Sequence, residues 1–128
     1  MGEHPNATVF RKAMEAMSED PESAAAYLDD DIVWWQIGSE QAIRGKQALL
    51  DSMRGFENLD YEVELHDVTA SDDHVVGLVN ATVRAGDLEI RYRTAEIAHV
   101  KDGKITERWA FSDDTQRIAD FFSQLQPQ

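Results

Sequence analysis

The sequence predicts an α+β fold, with helices segregated from an antiparallel sheet. Three observations carry this. Asn6 to Glu19 places Val9, Phe10, Ala13, Met14 and Met17 at helical spacing. After Asn58 the period changes to two, and Tyr61, Val63 and Leu65 alternate with Glu62, Glu64 and His66. Asp102-Gly103 is a strong two-residue hairpin signal between two such strands.

The elements follow in order. After the first helix, Asp20-Pro21-Glu22 supplies a cap, a proline at the first helical position and an acid near the N-terminus. A short second helix is expected over Pro21 to Leu28. Ile32 to Ile37 is β-branched and aromatic and reads as a strand. It holds Trp34 and Trp35 side by side, and on a strand such neighbours face opposite sides. Gly38 to Gly45 reads as a loop. Lys46 to Phe56, with Ala48, Leu49, Met53 and Phe56, reads as a third helix. After the strand that begins near Tyr61, Ser71-Asp72-Asp73 turns the chain into a strand from His74 to Arg84. Ala85-Gly86-Asp87 turns it again into Leu88 to Lys101, and Lys104 to Ser112 completes the meander. Asp113 or Asp114 can cap a last helix, Thr115 to Leu125, with Ile118, Phe121, Phe122 and Leu125 on its apolar face.

The chain has 128 residues, which suits one domain over 1–128 with a core and room for a pocket. A net charge of −13 makes nucleic acid and anionic membrane poor partners. No apolar run approaches the roughly 20 residues of a membrane helix. The absence of cysteine excludes disulfides, thiolate nucleophiles and zinc–thiolate sites and fits the cytoplasm. The first residues lack the basic and apolar regions of a signal peptide, and His4 and Pro5 spoil Met1-Gly2 as a myristoylation start. His4, His66, His74 and His99 show no metal-ligand spacing, so neither metal nor cofactor is expected. Ser39 and Ser112 have no His/Asp pattern, and no Gly-rich phosphate loop occurs.

A two-residue turn at Asp102-Gly103 pairs Val100 with Ile105, Ala98 with Glu107, Glu96 with Trp109, Thr94 with Phe111 and Tyr92 with Asp113. All of these then share one aromatic and aliphatic face, which should meet the helices. The other face carries Arg91, Arg93, Ala95, Ile97, His99, Thr106, Arg108, Ala110 and Ser112. Its basic cluster suits a dimer surface or pairing with Glu62, Glu64 and Glu89. A register one residue off would exchange the faces and bring Arg108 and His99 inside. Glu96 and Glu107 stand about one diagonal step apart on the apolar face. Two close carboxylates in apolar surroundings are the raw material of a general acid or base. Alternatively, both lie near an open sheet edge, solvated or paired with arginine. Asn80, among Val76, Leu78 and Thr82, can orient a ligand or satisfy a backbone group.

The stretch YLDDDIVWWQIGSEQAIRG, the following KQALLDSM and the late AHVKDGKITERWAFSDD resemble the nuclear-transport-factor-2-like superfamily, in its SnoaL-like and ketosteroid-isomerase-like branch. The element order matches from about Asn6 to Phe122. The resemblance implies a cystatin-like α+β barrel: a bent, mixed or antiparallel sheet wrapped around N-terminal helices as a cone. Such cones hold a mostly apolar pocket and usually form a homodimer through the sheet. Members include isomerases, polyketide cyclases, epoxide hydrolases, dehydratases and binding modules, so fold alone does not choose among them.

Carried over residue by residue, the resemblance puts the isomerase base at Trp35 when aligned on Gly38-Ser39-Glu40. The first-helix tyrosine falls near Phe10 or Arg11, and the protonated acid donor at Glu96. Two of the three are missing, so ketosteroid isomerisation is not expected. Asp113 lies near the late acid of SnoaL-like cyclases, or it caps the final helix. The late aspartate of limonene-epoxide-hydrolase relatives falls near Ala110, which argues against that activity. Trp35 would point into the cone, as pocket wall or as filler, and Trp34 away from it. The implied function is proton transfer on a small hydrophobic carbonyl compound, by isomerisation, cyclisation or dehydration. The ligand would sit among Trp35, Trp109, Phe111, Met14, Tyr92 and Asn80, and Glu96, Glu107 and Asp113 would carry the proton. The alternative is a non-catalytic binding or dimeric assembly module.

Overall fold

The computed structural model describes residues 3–37, 39–55 and 59–125. Met1-Gly2, Gly38 and Phe56 lie outside the described residues.

Helix α1 spans Pro5–Glu19, with Pro5 in its first turn and the His4 ring accepting from the Asn6 N–H. Its inward stripe buries Ala7, Phe10 and Ala13. Asp20 accepts from the Glu22 N–H and caps a 3₁₀ helix, Pro21–Tyr27. Strand β1 (Leu28–Trp35) starts earlier than its apolar run, because Leu28 is already paired and buried. Within the expected loop lies a short strand, β2 (Ala42–Arg44), paired antiparallel with Val33–Trp35. Helix α2 (Lys46–Arg54) follows Gly45, whose φ of 94° favours glycine. The meander is β3 (Asp60–Ala70), β4 (His74–Ala85), β5 (Leu88–Lys101) and β6 (Lys104–Ser112). Helix α3 (Thr115–Ser123) is capped by Asp114, which accepts from the Arg117 N–H. Asp113 is therefore not its cap.

The strands form one sheet of 6 in the order β2-β1-β6-β5-β4-β3. β1 and β6 run parallel, and the other neighbours are antiparallel. Its inner face wraps the N-terminal helices. Phe10, Ala13, Ala24, Leu49 and Leu50 from the helices pack with Leu28, Ile32, Val75, Ala98, Val100 and Ile105 from the strands. A second cluster of Val83, Ile90, Ile118 and Phe121 seats α3. No helix among the described residues is long and apolar enough to cross a membrane.

The last hairpin departs from the expected register. Lys101 pairs with Lys104 and Val100 with Ile105, but His99 pairs with Glu107. Thr106 is the extra residue of a β-bulge, and its hydroxyl donates to the His99 carbonyl. Beyond it Ala98 faces Arg108, Ile97 faces Trp109 and Glu96 faces Ala110. The bulge leaves β5 as expected, with Thr94, Glu96, Ala98 and Val100 inward. It reverses β6. Arg108 turns inward beside Ile105, while Glu107, Trp109 and Phe111 turn away from the helices. His99 stays outside with Glu107.

Candidate functional site

The inner face lines an open cavity of about 490 Å³. Its apolar walls are Met14 and Met17 from α1, Leu49 and Met53 from α2, Trp34 from β1, and Val79 and Ala81 from β4. Three thioethers make such a wall adaptable in shape. The opposite wall is polar: Tyr92, Thr94 and Glu96 on successive inward positions of β5, with Arg108 of β6 beside them. Tyr61 of β3 and the carboxylates Glu19 and Asp60 also line it.

Glu96 and Arg108 are 4% and 8% exposed. Burying two charges is costly unless they pair and their remaining atoms are satisfied. Here Arg108 Nε and Nη2 donate to Glu96 Oε1 at 2.8 and 2.5 Å. Nη1 donates to the Trp35 carbonyl at 2.9 Å, and the guanidinium stacks 4.3 Å over the Trp34 ring. Every one of these contacts depends on the bulge that turns Arg108 inward. Glu96 Oε2 has no hydrogen-bond partner among the described residues.

Thr94 Oγ1 is buried and has no partner among the described residues. An unpaired buried hydroxyl costs about 1–3 kcal/mol. Thr94→Val, similar in shape, should therefore stabilise the unliganded chain by about 1 kcal/mol in urea denaturation. Tyr61 and Tyr92 are also perturbed. Burial pushes both phenols up to about 12, and for Tyr92 the nearby Tyr61 and Glu96 add to it. Both are neutral hydrogen-bond donors at physiological pH.

A family model described as a SnoaL-like domain matches residues 10–108. This chain belongs to the SnoaL-like domain family. The match runs from Phe10, buried in the core, to Arg108, on the polar wall. Solved structures agree in fold. An LEH-like epoxide hydrolase of M. tuberculosis superposes with a TM-score of 0.78 at 23% identity, covering 93% of this chain and 87% of that one. Bal32a, from a soil-derived mobile gene cassette, gives 0.80 at 18% identity, covering 91% and 95%. A nuclear-transport-factor-2-like protein of unknown function from Burkholderia pseudomallei gives 0.79 at 16% identity, covering 92% and 97%. No curated protein matches the chain.

Within this SnoaL-like fold, three of the expected site residues line the cavity: Met14, Tyr92 and Glu96. The others do not. Trp35 was expected inside, but Trp34 is the tryptophan that faces the cavity. Period-two alternation explains it, because Ile32 is buried and Trp34, two residues on, shares its face. Trp35 points outward and donates from Nε1 to Glu107 Oε2 at 3.0 Å. Glu107 also lies 3.4 Å from His99 Nδ1, and the His99 ring meets Trp109 edge-on at 5.0 Å. Glu107, Trp109 and Phe111 thus belong to the outer face. Asn80 is outward too, donating to Glu64 Oε1 at 2.8 Å. Asp113 is exposed and accepts from the Arg93 N–H. That hydrogen bond, with the charges of Arg93 and Arg117, holds its carboxyl below the usual range, which is wrong for a general acid. Among the described residues no group of three or more His, Cys, Asp or Glu could hold a metal ion.

Trp34, Arg108, Thr94 and Tyr61 were not expected as site residues. Trp34 could have been found from its parity with Ile32. Arg108 could be named only as the consequence of a shifted register, since nothing in its own neighbourhood marks the bulge.

Proposed function

We propose that this SnoaL-like domain is a cofactor-independent enzyme that moves a proton on a small hydrophobic carbonyl compound held in the cavity. Glu96 carries this reading: a carboxylate buried in a largely apolar chamber, with Oε1 fixed by Arg108 and Oε2 left open. A carboxylate so oriented can act as a general base. A C–H bond beside the carbonyl breaks, its proton passes to Oε2, and its electron pair moves onto the carbonyl oxygen. The cationic Arg108 favours that developing charge. Returning the proton at another carbon isomerises the compound. Attack of the enolate carbon on a second carbonyl cyclises it, and expulsion of a β-hydroxyl dehydrates it. Epoxide hydrolysis, the activity of the M. tuberculosis neighbour, is not proposed, because the position expected for its late acid is Ala110, paired here with Glu96.

Glu96→Gln keeps the size and the acceptor facing Arg108 but removes the base. It should abolish turnover of a bound carbonyl compound and leave its affinity nearly unchanged. Retained turnover would sink the assignment. The second reading, a non-catalytic binding module, is favoured by the outward placement of Glu107 and Asp113, the two carboxylates expected to share the proton transfer with Glu96. It predicts saturable binding with no product from any bound carbonyl compound.

A second copy of the chain is the proposed partner on the outer face, where Phe111 is 62% and Leu78 43% exposed beside Trp35 and Trp109. Light scattering should give a dimer, and Phe111→Lys should give a monomer. A wild-type chain that stays monomeric at high concentration would refute this partner. The net charge of −13 disfavours nucleic acid and anionic membrane as partners, and the cysteine-free composition suits the cytoplasm.

A further inference from the structure

The acid–base scheme needs a hydrogen-bond donor for the oxygen that becomes anionic, and Glu107, expected beside Glu96 as a second carboxylate, stands on the outer face. The cavity wall offers a replacement. Tyr92, Thr94 and Glu96 occupy successive inward positions of one strand, about 6.6 Å apart along it. Their ends are all unspent: the Tyr92 hydroxyl, Thr94 Oγ1 and Glu96 Oε2 have no protein partner among the described residues. Of these Thr94 Oγ1 is buried outright, where a hydroxyl normally finds a partner, and the other two open on the cavity, so the row marks where a ligand's polar edge belongs. Tyr92, Glu96 and Arg108 line the same cavity. Burial keeps the Tyr92 phenol protonated through the neutral range.

We propose that Tyr92 donates the hydrogen bond that holds the ligand's carbonyl oxygen, so that β5 supplies both the donor and the base. This rests on the pocket reading above and deepens it: the ligand carries an oxygen acceptor on one edge and an apolar face toward Trp34 and the methionines.

The test compares 1-tetralone with tetralin, the same bicycle without the carbonyl, by titration calorimetry on the wild-type chain and on Tyr92→Phe. The wild type should bind the ketone roughly 5-fold more tightly, the worth of one ordinary hydrogen bond. Tyr92→Phe should bind both compounds equally, with its tetralin affinity unchanged. The infrared carbonyl stretch of bound 1-tetralone should be lowered in the wild type and return toward its value in hydrocarbon solvent in Tyr92→Phe. A preference that survives in Tyr92→Phe, or a wild type that binds the two compounds equally, overturns the role of Tyr92 and leaves the pocket standing. A wild-type chain that binds neither overturns the pocket reading and this assignment with it.

Discussion

Arg108→Met should destabilise the fold by roughly 3–5 kcal/mol, seen as a lower urea midpoint at unchanged m-value. The reason lies in what is left behind. Glu96 is 4% exposed, and among the described residues its Oε1 takes hydrogen bonds only from Arg108. Methionine fills the space of the arginine stem but leaves a buried carboxylate with no counter-charge. The Trp35 carbonyl also loses its donor, and Trp34 its stacked cation. Glu96→Leu combined with Arg108→Met should recover most of the loss, because removing a buried pair together is often nearly neutral. A single variant as stable as the wild type would mean that the Glu96 carboxylate is solvated once Arg108 is gone.

Phe10→Ala should cost roughly 3–5 kcal/mol by the same measurement. Phe10 is 2% exposed and sits at the centre of the main cluster. Its ring rests on Gly77, where an added Cβ would lie 2.6 Å from Phe10 Cε1. Glycine at 77 is therefore a packing requirement. Gly77→Ala should cost roughly 1–3 kcal/mol in the wild type, and less in the Phe10→Ala background, because the cavity left by the ring accepts the new methyl. The effect reaches the site, since Gly77 pairs with Glu96 across the β4–β5 ladder and α1 carries Met14 to the cavity wall.

The fold was largely legible in the sequence because its elements follow local patterns. The helical stripe around Phe10, the cap at Asp20 and the period-two run of β5 each depend on near neighbours, and each stands where the pattern puts it. β2 was not legible, since Ala42–Arg44 is too short to show a period and exists only by pairing with β1. The site was half legible. β5 meets its partners without a break along Tyr92, Thr94 and Glu96, so its inward residues could be counted. β6 could not be counted past Thr106, because a bulge is a property of two strands and leaves no mark on one. That single residue moved Glu107, Trp109 and Phe111 out and Arg108 in. Trp35 was placed by likeness to a loop motif, and the parity of Ile32 with Trp34 was the better guide.

The proposed chemistry requires a ligand bound on the face carrying Trp34, Glu96 and Arg108. The most direct test is the change in tryptophan fluorescence on saturating the chain with 1-tetralone, in Trp34→Phe and in Trp35→Phe. The response should vanish in Trp34→Phe and persist in Trp35→Phe. Loss of the response in Trp35→Phe with retention in Trp34→Phe would place the ligand on the outer face and contradict the account.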